Sequence, residues 1–131
     1  MGLFFMNDET REAARQWRTK AQSDRAAVEI LTASDRCPPD TVCFHCQQSV
    51  EKLLKALLSL NGIETPRTHD LRRLIRLAEP FAPDLAQLVD AADTLTPYTT
   101  NRPILRGSRR FWVRRTLGEA LVQGWRGGFC G

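Results

Sequence analysis

From Cys43 to Leu71 the chain reads CFHCQQSVEKLLKALLSLNGIETPRTHDL, and this stretch limits the fold more than any other. At 3.6 residues per turn it puts Cys43, Cys46, Val50, Leu53, Leu54, Leu57, Leu58 and Leu60 on one broad apolar stripe. His45, Gln48, Lys52, Lys55 and Ser59 run down the other side. So wide an apolar stripe belongs in a core, and the polar row behind it is a candidate binding surface. Asn61-Gly62 ends the helix, because glycine takes the left-handed conformation of a helix terminus without a steric penalty, and Pro66 blocks an immediate restart.

The flanking segments are also helical in pattern. Between Asp8 and Ala33 the residues Ala13, Trp17, Ala21, Val28 and Leu31 recur at helical spacing, and Asp24 falls on the same stripe where an aliphatic side chain would be expected. A carboxylate on a core face survives only when paired or hydrogen-bonded. Lys52 or His45 of the next helix can supply the partner, so Asp24 and Lys52 are read as a structural pair. Pro38-Pro39-Asp40 opens the second helix, and Thr68 is a candidate cap for a short third one with Leu71, Leu74, Ile75 and Ala78 inward. Pro83-Asp84 opens a fourth, with Leu85, Leu88, Val89, Ala92 and Leu95 on its apolar face.

The spacing predicts helices near residues 8–33, 40–61, 69–79 and 83–96, with Trp17 buried against the second. No segment alternates as a strand does. The expected fold is therefore all-α, an up-and-down antiparallel bundle of four to five helices. The fifth would be Thr116 to Trp125, weakened by Gly118 and Gly124.

At 131 residues and 42% hydrophobic content the chain is large enough to bury one core of its own. No apolar run approaches the ~20 residues of a membrane span. Gly2 to Met6 is too short, and lacks the basic flank, for a signal peptide. A cytoplasmic protein without membrane association is the expectation. Charge is uneven: residues 1–101 hold twelve Lys and Arg against fourteen Asp and Glu, whereas residues 102–131 hold seven arginines against Glu119 alone. The arginines of that end, interleaved with Phe111 and Trp112, suit phosphate contact and base stacking, hence RNA. Cys37, Cys43 and Cys46 cluster with His45, but on a helix His45 points away from the face shared by Cys43 and Cys46, so reduced thiols are expected and no metal.

Several short sequences in combination carry a family resemblance: Cys43-Phe44-His45-Cys46-Gln47-Gln48, Glu51-Lys52-Leu53-Leu54-Lys55-Ala56-Leu57, Asn61-Gly62 and Pro66-Arg67-Thr68-His69-Asp70-Leu71. With Trp17, Asp24 and Ala27 upstream and Leu95-Thr96, Tyr98 and Arg102-Pro103 downstream, the chain resembles the HEPN (higher eukaryotes and prokaryotes nucleotide-binding) domain. The likeness makes residues 8–103 the helical domain and 104–131 an Arg-rich extension. It implies a compact bundle, often dimeric, that works beside a minimal nucleotidyltransferase in toxin–antitoxin or defence modules. One branch of the family consists of metal-independent ribonucleases, in which four to six residues separate an arginine from the histidine that follows it. Here Pro38, Pro39 and Asp40 occupy those positions for His45, and Gly62, Ile63 and Glu64 for His69. Family members also usually place a tyrosine between the arginine and proline that stand adjacent at Arg102-Pro103.

The resemblance and the residues together lead to a non-catalytic module that binds a nucleotide or a partner, without a resident cofactor. In that reading Lys52, Lys55 and Arg102 hold phosphate, and His45, Gln48 and His69 supply hydrogen bonds. Tyr98 offers an aromatic face to a base. The alternative is a ribonuclease in which His45 or His69 is the general base and an arginine stabilises the phosphorane.

Overall fold

The computed structural model describes residues 7–99, and every regular element in them is helical. Helix α1 spans Asp8–Ala33, α2 Pro39–Leu60, α3 Leu71–Ala78 and α4 Val89–Leu95, with short 3₁₀ segments at Pro83–Leu88 and Thr96–Thr99. The predicted fifth helix and the Arg-rich extension lie outside the described residues.

Helices α1 and α3 start where a side chain accepts from the amides of the first turn, and α2 starts at a proline. Asn7 Oδ1 accepts from the Thr10 amide at 2.8 Å, and Asp8 and Glu9 add negative charge to the first turn of α1. Pro39 begins α2, where its missing amide hydrogen is no loss. The third helix begins differently from expectation. Asp70, not Thr68, is the cap: its Oδ1 accepts from the amides of Arg72 and Arg73, while Thr68 Oγ1 accepts from the amide of Asp70. A carboxylate at the positive helix end out-competes a hydroxyl two residues earlier. The fourth helix is also modified, because Pro83–Leu88 winds as a 3₁₀ segment and only Val89–Leu95 is α-helical.

Helix α2 lies at the centre. One side packs on α1, which runs antiparallel to it; the other packs on α3, α4 and the terminal 3₁₀ segment. The seam with α1 is made of small residues, Ala14 and Ala21 on one helix and Ser49, Ala56 and Ser59 on the other, all buried. Ser49 donates its hydroxyl to the Ala21 carbonyl at 3.2 Å, satisfying the polar group that close approach has buried. On the opposite side Leu54 and Leu58 meet Leu71, Leu74, Ile75, Ala78, Ala92 and Leu95 in a continuous core, joined by Val28 from the end of α1. A helix buried on both sides has little free face. That explains why Ser59 and Lys55, placed on the outward row by the sequence pattern, are in fact buried. Trp17 is half-buried rather than enclosed, with its ring centroid 5.2 Å from Lys55 Nζ.

The turn after α2 fixes how the next segment leaves the core. Gly62 has φ 68°. Its amide donates to the Ser59 carbonyl at 3.1 Å, and the Ile63 amide reaches back to the Leu58 carbonyl at 3.0 Å. This is the Schellman arrangement, and Ile63 packs against the core as that motif requires. Gly62→Ala places a Cβ in the left-handed region and should cost about 1–2 kcal/mol, read as a lower urea midpoint with helical circular dichroism retained.

Candidate functional site

Both histidines of the chain are held against carboxylates, and both arrangements are built on α2. The first lies on the α1 side. Asp24, 8% exposed, accepts a hydrogen bond from Lys52 Nζ and pairs with His45 Nδ1 at 2.9 Å. Both partners named for Asp24 from the sequence pattern therefore reach it. The pairing arises because Asp24 sits one turn from Ala21 on the buried stripe of α1, while His45 and Lys52 sit two turns apart on α2 and close on it from either end.

The second arrangement lies on the other flank of α2 and centres on Glu51, which is 3% exposed. Its carboxylate receives Lys55 Nζ at 2.8 Å, Gln47 Nε2 at 3.0 Å and His69 Nδ1 at 3.0 and 3.1 Å to its two oxygens. Gln47, fully buried, also donates to the His69 carbonyl at 3.2 Å and accepts from Gln48 Nε2 at 2.7 Å. Burial pushes the Glu51 carboxyl up, but the hydrogen bonds from Lys55, Gln47 and His69, with the Lys55 charge, outweigh it and hold the group below its ordinary value. Glu51 is thus an ionised carboxylate in the interior. The segment from Gly62 to Asp70 is fastened to it through both the backbone and the ring of His69.

These contacts redistribute the residues named from sequence. His45, Gln48 and Lys52 occupy a half-buried strip of α2, and Gln48 links it to His69 through Gln47. Lys55 belongs to the interior, with its charge matched by Glu51 and its ammonium group beside Trp17. Lys52 has its charge matched by Asp24. Tyr98 hydrogen-bonds the Cys43 thiol, about 12 Å along the α2 axis from Glu51 at 1.5 Å per residue. Arg102 lies outside the described residues. Glu51 and Gln47 were not singled out from the sequence, although an i, i+4 series of Gln47, Glu51 and Lys55 on an otherwise apolar helix was a readable sign of an internal polar chain.

Among the described residues the cysteines take no part. Burial pushes the Cys43 thiol up to about 11, helped by Asp40 and opposed by the Tyr98 hydrogen bond, and burial with the neighbouring Cys43 pushes Cys46 up to about 12. Both are protonated thiols packed in or beside the core. Among the described residues no group of three His, Cys, Asp or Glu is placed to hold a metal ion. On the far side of α3, Arg72 grips Asp93 with two donors, Nε to Oδ1 at 3.0 Å and Nη2 to Oδ2, joining α3 to α4. The pairing raises the arginine and lowers the aspartate relative to their ordinary values.

A helical bundle built round a central helix with an internal polar chain, and with a histidine-bearing segment fastened back to it, defines a small helical domain. Residues 14–102 match the family model of the HEPN domain, and the chain belongs to that family. No curated protein and no solved structure matches it significantly. Among the described residues, no helix is long and apolar enough to cross a membrane.

The Glu51 carboxylate generates a pH dependence whose sign is fixed. Its value in the fold lies below the ordinary 4.5, so its stabilising effect is complete above that value and is lost as pH falls through the lower folded one. Glu51→Gln mimics the protonated group and leaves Lys55 unpaired. Wild type should therefore exceed the variant by about 3 kcal/mol near neutral pH, and the gap should close on acidification, measured by urea titration across pH.

Proposed function

We propose that the chain is a non-catalytic HEPN-type module that binds a nucleotide or a protein partner at the surface centred on His69. The single observation behind this is that the His69 side chain is 66% exposed while its Nδ1 is held by a carboxylate only 4% exposed. Exposed side chains ordinarily sample several rotamers at no cost. Here a buried chain of Glu51, Gln47 and Lys55 fixes one, which is the preorganisation a binding surface uses to lower the entropy loss on association. Gln48 borders the surface through Gln47, and His45 and Lys52 stand on the same helix beside Asp24. Arg102 would add a phosphate contact, Tyr98 an aromatic face further along α2, and the Arg-rich tail a contact to RNA.

The family membership supports a nucleotide-binding or ribonuclease-type module. Within that range we favour a cytoplasmic homodimer acting with a minimal nucleotidyltransferase in a toxin–antitoxin or defence setting. Binding is favoured over catalysis because no arginine stands at the family's ribonuclease spacing ahead of either histidine. RNA cleavage through a ribose hydroxyl develops negative charge on phosphorus oxygens, and a guanidinium is the group suited to it. One observation favours the ribonuclease as the second reading: a carboxylate on Nδ1 leaves Nε2 in the orientation of a general base.

The two readings separate in one set of assays. Purified protein should leave labelled RNA intact in EDTA, and cutting that disappears with His69→Ala would establish the ribonuclease instead. In the binding reading His69→Ala weakens association with the nucleotidyltransferase or with nucleotide. It should cost the fold only about 0.5–1.5 kcal/mol, since Lys55 and Gln47 still satisfy Glu51.

A further inference from the structure

We infer that Glu51 is a positioning residue that locks His69 into the Nδ1–H tautomer, so that the imidazole presents its Nε2 lone pair outward and receives a hydrogen-bond donor, a hydroxyl or amino group of the nucleotide. The ligand half of this statement rests on the nucleotide-binding reading above; the role of Glu51 does not.

The argument is one of donors and acceptors. An ionised carboxylate only accepts. Both Glu51 oxygens lie within 3.1 Å of His69 Nδ1, so that nitrogen must carry a proton. In a neutral imidazole the other nitrogen then has none. Nothing else can rotate to reverse the assignment, because Gln47 spends its amide hydrogens on Glu51 and on the His69 carbonyl and Lys55 has donors only. Among the described residues His69 Nε2 has no hydrogen-bond partner, and the ring is two-thirds exposed.

A free histidine side chain prefers the proton on Nε2, so the structure demands the less common tautomer. Stability alone does not require this. The Gln47 bond to the His69 carbonyl already fastens the segment, and Lys55 with Gln47 already satisfies the carboxylate. What the ring contact adds is the identity of the nitrogen that faces outward. It gives the surface an acceptor, complementary to ribose hydroxyls or an exocyclic amine, where lysine and arginine offer only donors.

The test is ¹⁵N–¹H NMR of the full chain labelled at histidine, where His45→Gln assigns the pair of signals belonging to His69. The expected result for the neutral ring of His69 is a pyrrole-like Nδ1 and a pyridine-like Nε2. The Glu51→Gln/Lys55→Met double variant, which leaves no unpaired buried charge, should shift the signals toward a mixture of tautomers. A predominantly Nε2-protonated ring in wild type, or unchanged signals in the double variant, overturns the role of Glu51.

Three nucleotides then probe the acceptor: ATP, 2′,3′-dideoxy-ATP without ribose hydroxyls, and inosine 5′-triphosphate without the exocyclic amine. Wild type should bind one of the two analogues about five- to tenfold more weakly than ATP, the worth of one hydrogen bond. His69→Ala should bind it and ATP equally. Discrimination that persists in His69→Ala overturns the acceptor role. Failure of ATP to bind wild type defeats the nucleotide reading and with it the ligand half, while the tautomer spectrum still decides Glu51.

Discussion

An ionised carboxylate inside a protein must find donors, and the Glu51 carboxylate finds them on three parts of the chain. Gln47 and Lys55 come from its own helix, one turn to either side, and His69 comes from the segment that follows. Lys55 matches the charge while Gln47 and His69 add donors, so the set ties α2 to the segment that follows it. It fixes where the Gly62–Asp70 segment lies against α2, and so where α3 begins. The Schellman turn at Gly62 launches that segment and the Glu51 chain receives it. Between them they bring Leu71, Leu74 and Ile75 onto Leu54 and Leu58.

The same logic operates across the seam between α1 and α2, where Asp24 holds Lys52 and His45. A buried ion pair contributes little net stability compared with well-packed apolar residues. What these two contribute is register. A helix carrying Ser49, Ala56 and Ser59 toward α1 has a smooth, small-residue face that could slide by a turn, and the Asp24 contacts allow one alignment. The cost is that α2 spends its polar residues internally, which leaves His69 as the well-exposed member of either group.

The helices were legible in the sequence because their signals are local. The apolar period, Pro39 and Gly62 act within a few residues, and the observed α1 and α2 fall at or within one residue of the expected ends. The Asp24 partnership was legible for a related reason: a carboxylate on an apolar stripe poses a question with few answers. The Glu51 chain was not, because a helix wheel assigns residues to faces without saying how many of those faces are covered. Lys55 reads as a solvent-facing lysine if α2 is packed on one side. It becomes an interior cation once α1 with Trp17 covers the second. The cap of α3 and the 3₁₀ start of the fourth helix turn on energy differences of about 1 kcal/mol between neighbouring options, too small for residue type alone to settle.

The central claim is that the polar residues of α2 are internally paired rather than solvated. A double-mutant cycle on Glu51→Gln and Lys55→Met, read by urea denaturation near neutral pH, tests it most directly. Internal pairing predicts that each single change is costly and that the double costs less than their sum by at least about 1 kcal/mol. Additive single effects within about 0.5 kcal/mol, as for a solvated face, would contradict it.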